Sequence, residues 1–166
     1  MKNNWTLIVF LLTFILASVF SIIANMLGKL NNIVLIIVTL LVVLFGTIFD
    51  IIGTAVLSAD IKVMHSMASK KIKGAKEAIN LINKSSNVSS ICNDVIGDIC
   101  GIISGGLSTV LVLNLFNNSS VYQIIVTALV SSLTVGSKAL GKQIAIKKAD
   151  NIIYSVGKIT SHFTRN

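Results

Sequence analysis

Four apolar stretches organise this chain. No charged residue stands between Lys2 and Lys29, and the run from Trp5 to Leu27 is long enough to cross a bilayer. It is longer than the 7–15-residue apolar core of a signal peptide, so a retained helix is expected. A second run, from about Ile33 to Leu57, contains one carboxylate, Asp50. A third, from Ser89 to Phe116, carries Asp94 and Asp98 near its start. The polar break Asn117-Asn118-Ser119-Ser120 precedes a fourth run, Val121 to about Leu140.

Ile61 to Lys84 is too polar to span. Within it Ile72, Ala75, Ile79 and Ile82 recur at helical spacing, with Lys71, Lys73, Lys76 and Lys84 around them. This predicts one basic amphipathic helix over about 61–84, lying along the anionic inner leaflet. The alternative is a soluble hairpin packed on its own chain. The tail, about 142–164, repeats the pattern through Ala149, Ile152, Val156 and Phe163. The expected fold is all-α, a multi-pass helical membrane protein with four spans plus basic amphipathic cytoplasmic helices. Residues 1–30 form an additional N-terminal transmembrane helix beside a main body over 31–166.

Composition supports that class. Of 166 residues, 54% are hydrophobic, only 12% are charged and none is proline. A soluble domain carries roughly 25% charged residues, so this chain needs lipid as its solvent. The net charge of +8 lies in two segments between apolar runs, without interleaved aromatics. That pattern marks a cytoplasmic membrane face and excludes nucleic acid as the partner. With both termini inside, thirteen of the fourteen Lys and Arg residues fall on the cytoplasmic side and only Lys29 outside. The localisation expected is a cell membrane of bacterial type. Cys92 and Cys100 lie about 12 Å apart along one helix, beyond disulfide reach. His65 and His162 are isolated, no catalytic spacing is present, and no enzyme is expected.

Carboxylates at membrane depth are costly, which makes them candidates for function. Asp50 lies about 10 Å from the cytoplasmic end of its span, and Asp94 and Asp98 at about 8 and 14 Å from the same side. The second and third spans can thus bring the three towards one site. Asn93, Gly97, Gly101 and Gly105 form a four-residue-spaced stripe suited to close helix packing. Asp94 and Asp98, beside it, are expected to point into the protein. Carboxylates with Asn, Ser or Thr oxygens suit a hard cation such as magnesium, which needs only one or two carboxylates and keeps several waters. Alternatively Lys138, at comparable depth, neutralises one aspartate in a purely structural pair.

Three segments resemble the membrane domain of the CNNM/CorB-type magnesium transporters. They are GTAVLS at Gly53–Ser58, GAKEAINLI at Gly74–Ile82, and SKALGKQIAIKKADNII at Ser137–Ile153. Asn93 stands where that family has an asparagine in its second span. The resemblance covers residues 33 to about 160 and implies a homodimer and an ion path. Of the family's ion-path positions the chain keeps Asn93, which joins the membrane-depth carboxylates Asp50, Asp94 and Asp98 as candidate magnesium ligands, and a separately encoded CBS-domain protein is a candidate partner. The chain departs from the family at Gly53, Lys138 and Gly141, where the family has Glu, Glu and Pro. The function expected is transport or binding of magnesium. The alternative is a non-transporting scaffold or regulatory subunit with a degenerate ion site.

Overall fold

A computed structural model describes residues 2–27, 31–116 and 120–163. All its elements are helical: α1 (Lys2–Leu27), α2 (Asn32–Ser58), α3 (Ile61–Ser69), α4 (Ala75–Asn83), α5 (Ser85–Ser89), a π-helical segment (Ser90–Gly97), α6 (Asp98–Phe116), α7 (Ser120–Lys147) and α8 (Ala149–Phe163). Four stretches are long and apolar enough to cross a membrane: Trp5–Ile23, Asn32–Ser58, Ser85–Leu115 and Val121–Lys147. Helix is the structure that satisfies each backbone amide within its own segment when no water is at hand. The hydroxyls do the same. Thr39, Thr47 and Thr134 each donate to the carbonyl four residues back, at 2.8 Å. Large apolar side chains face outward, among them Phe10 at 71%, Ile102 at 67% and Ile124 at 68% exposure. Such a surface is the reverse of a soluble domain's.

The chain divides into two compact units. The first comprises residues 1–47 and 95–137. Here α1 packs on α6. Leu35 of α2 is buried with Leu107 and Leu111 of α6, flanked by Val38, Ile103, Val110 and Val126. Thr47 and Ser137 share a hydrogen bond of 3.0 Å between α2 and α7. A Cβ at Gly46 would stand 2.7 Å from that of Cys100. The close approach of α2 to α6 therefore uses a glycine on α2. At Gly101 and Gly105, where the small-residue stripe predicted it, an added Cβ meets nothing within 4 Å.

The second unit comprises residues 48–94 and 138–166. Its core joins Ala55 and Val56 of α2, Met64 of α3, Ala78 of α4, Ala145 of α7, and Ala149 and Ile153 of α8. The single amphipathic helix expected over about 61–84 is two helices, α3 and α4, folded back at Lys70–Gly74 and packed with α8. The reversal is made by two left-handed residues, Lys71 (φ 57°) and Gly74 (φ 92°). Lys71 and Ile72 donate to the carbonyls of Ala68 (2.9 Å) and Met67 (3.1 Å), closing the end of α3. At its start Asp60 accepts from the Lys62 amide at 2.8 Å, a standard N-cap. The Asp60 amide in turn donates to Asp150 of α8 at 2.8 Å. The apolar face of α4 is thus covered by the chain's own α8, which favours the hairpin alternative over a helix lying open on the leaflet.

The tail also differs from expectation. Instead of a span ending near residue 140 and a tail helix from 142, α7 runs unbroken to Lys147, and α8 begins at Ala149. The buried face of α7 continues past residue 140 through Gly141 and Ala145. Along α8 the buried positions are Ala149, Ile153, Gly157 and Ser161, one turn apart each time.

Gly74 and Gly157 let α4 and α8 meet backbone to backbone. A Cβ at Gly74 would lie 2.7 Å from the Lys158 Cα, and one at Gly157 would lie 2.5 Å from the Gly74 carbonyl oxygen. Gly74→Ala adds left-handed strain to this clash and is expected to lower stability by roughly 1–3 kcal/mol. Gly101→Ala, with open space around it and better helix propensity, should be neutral or slightly stabilising. Thermal unfolding of the two variants in detergent checks this; equal midpoints would refute the packing of α4 on α8.

Candidate functional site

Asp50 sits in the middle of α2's buried face. Gly46 precedes it by one turn and Gly53 follows by one turn, and all three are buried. The Asp50 side chain is buried, at 4% exposure. A carboxylate moved out of water without a partner costs several kcal/mol. Its nearest counter-charge is Lys142 of α7, whose Nζ lies 3.9 Å from Oδ2. That is the outer limit of an ion pair, and the lysine is itself 53% exposed. No hydrogen bond reaches Asp50 Oδ2.

Opposite Gly53 stands Asn93. A methyl group at Gly53 would overlap the Asn93 carboxamide, and would lie 3.0 Å from the Cys92 Cβ. The glycine is what allows the asparagine to come against α2. Asn93 occupies the π-helical segment, where i→i+5 bonding widens the turn. Its amide nitrogen donates to Ser89 Oγ at 3.2 Å. Its Oδ1 is buried and has no hydrogen-bond partner. Buried polar atoms without partners are few in folded proteins, and an ion is one of the things that completes them. Here one carboxylate oxygen and one carboxamide oxygen, both hard donors, share that condition within one unit.

Asp94 and Asp98, predicted to point inward, are both exposed. The reason is register: the prediction assumed a regular α-helix, with Asp94 and Asp98 on one inward face. In the widened segment the buried positions go to Cys92, Val95 and Gly97, with Ile99 and Cys100 following in α6. Asp94 belongs to the second unit and Asp98 to the first. Among the described residues no group of three or more His, Cys, Asp or Glu side chains is gathered as a metal site. The lysine beside Asp50 is Lys142, one turn beyond Lys138. The extension of α7 past residue 140 brings it there, and that extension was hidden by the mixed polarity of Lys142 to Lys148. Ser89 was also missed, although its four-residue separation from Asn93 was a readable helical pairing.

If Asn93 is seated by Gly53, the two positions are energetically coupled. Gly53→Ala is expected to cost about 1–3 kcal/mol by overpacking. Asn93→Ala should relieve part of it, giving a coupling of at least about 0.5 kcal/mol in a double-mutant cycle. Additive unfolding midpoints in detergent would show that the two do not meet. No protein-family profile matches this chain, and no curated protein or solved structure is significantly similar to it.

Proposed function

We propose that this chain is a four-span membrane protein with both termini in the cytoplasm, and that it binds a hard divalent cation, magnesium first, at Asp50 and Asn93. The observation that carries the reading is that two buried oxygens of the second unit, Asp50 Oδ2 and Asn93 Oδ1, lack a hydrogen-bond partner; Thr127 Oγ1, in the first unit, is a third such atom. Magnesium suits so small a donor set, because it keeps several waters and takes one or two carboxylates. The lysine distribution supports the orientation, with thirteen of fourteen basic residues on one side. The resemblance to the CNNM/CorB-type membrane domain is consistent with a cation, and with a homodimer, but Lys138 and Gly141 replace family ion-path residues. Binding is therefore the firmer half of the proposal, and transport rests on the resemblance alone.

In this reading Lys142 is a built-in competitor. Its ammonium neutralises Asp50 when no cation is bound and, being half exposed, swings into solvent at small cost when one arrives. A second reading uses the same contact. Asp50 and Lys142 form a structural ion pair tying α2 to α7 in a non-transporting scaffold, and ions play no part.

Calorimetric titration of magnesium into the detergent-solubilised chain separates them. Under the cation reading, Asp50→Asn and Asn93→Ala lose the binding, while Lys142→Met binds severalfold more tightly because the competitor is gone. Under the scaffold reading neither the parent nor Lys142→Met binds magnesium. Lys142→Met then destabilises by about 1–3 kcal/mol, less than for a fully buried pair because the lysine is half exposed. Absence of magnesium binding in both proteins would overturn the cation assignment.

A further inference from the structure

The turn that reverses α3 into α4 gathers positive charge around an open cleft of about 530 Å³, lined by Lys71, Lys73, Lys76, Glu77 and Ser161 with the backbone of Gly74. A second cleft of about 290 Å³ shares Lys73 and adds Lys158, Ile159 and His162. Four lysines and an imidazole thus surround two adjoining hollows, with Glu77 as the only carboxylate in their linings. Among the described residues none of Lys71, Lys73, Lys76 and Lys158 forms an ion pair. The closest polar neighbour of the Lys73 ammonium is His162 Nδ1, at 3.5 Å. Like charges held together without a counter-charge repel one another, and a bound anion converts that cost into attraction.

We propose that this double cleft binds a phosphate-bearing anion, either the headgroup phosphate of an anionic phospholipid or a free phosphate. Lysine ammonium groups serve as point-charge donors to phosphate oxygens. The backbone adds to them. Gly74 lines the first cleft and offers no side-chain cap to α4, so the positive end of the α4 dipole adds to the lysine charge there. Two apolar side chains adjoin the charge, Ile72 in the first cleft and Ile159, 62% exposed, in the second. A lipid would lay its acyl region against these, whereas a soluble phosphate has no use for them. The proposal is independent of the cation site, which uses none of these residues.

The test uses the full chain, purified in detergent and stripped of lipid. Thermal stabilisation is titrated with dioleoylphosphatidylglycerol, with dioleoylphosphatidylcholine and with inorganic phosphate. Phosphatidylglycerol should raise the midpoint where phosphatidylcholine does not. Its half-saturating concentration should rise at least about tenfold in Lys71→Ala/Lys73→Ala/Lys76→Ala, since each lysine is worth roughly fivefold at low salt. The control, Lys62→Ala/Lys84→Ala/Lys147→Ala, makes the same charge change on other exposed lysines and should shift it less than about threefold, below the effect of one contacting lysine. Inorganic phosphate showing the same lysine dependence identifies a free anion as the ligand; a response to phosphatidylglycerol alone identifies the headgroup. Equal losses in the two triple variants would mean diffuse attraction to negative charge and would overturn the site, as would no response to either anion.

Discussion

Every part of this structure depends on where a backbone or hydroxyl proton can be donated without water. Along the apolar stretches the acceptor four residues back is the one always present, and the helices, together with the back-bonded Thr39, Thr47 and Thr134, follow from it. The same rule explains where the structure becomes unusual. Over Ser90–Gly97 the ladder shifts to wider π spacing, and the change of register turns Asp94 outward and seats Asn93 against Gly53. An asparagine there can satisfy its nitrogen locally, through Ser89. Its oxygen is left over.

That leftover oxygen gives Asp50 its meaning. Alone, a buried aspartate with a distant lysine is a weak structural pair, and such pairs add little net stability once desolvation is counted. In the proposed function it forms a donor set with Asn93 Oδ1, the other buried oxygen of the second unit without a hydrogen-bond partner. Gly53 makes the approach of Asn93 to α2 sterically feasible, because a side chain there would overlap the carboxamide. In the proposed function, close packing at Gly53 and cation binding use the same end of α2.

The second unit solves a different problem. Its short helices are too polar to lie in hydrocarbon and too short to be stable alone. They gain stability by mutual burial of Met64, Ala78, Ala149 and Ile153, with Gly74 and Gly157 allowing the backbones to touch. Folding α3 back on α4 has an electrostatic consequence. Lysines that a straight helix would spread along its length are drawn around one turn, and the anion cleft is a by-product of that packing.

Much of this was legible in the chain itself. The four long apolar runs marked the existence and approximate limits of the four long helices, because a run of that length and composition suits a membrane-crossing helix, which satisfies its backbone within the segment. The candidate status of Asp50 and Asn93 was equally legible, since polar groups in such runs stand out by their cost. What the tertiary structure alone decided was register and reversal. A four-residue spacing read from sequence assumes a regular helix, so the π turn that separates Asn93 from Asp94 was invisible, and Asp94 and Asp98 were assigned inward. The break at Lys70–Gly74 was likewise masked, because the apolar positions keep helical phase across it. Lys142 reaches Asp50 only because α7 continues to Lys147. Each of these outcomes depends on which neighbour a face finds to pack against, and a one-dimensional pattern carries the face but not the neighbour.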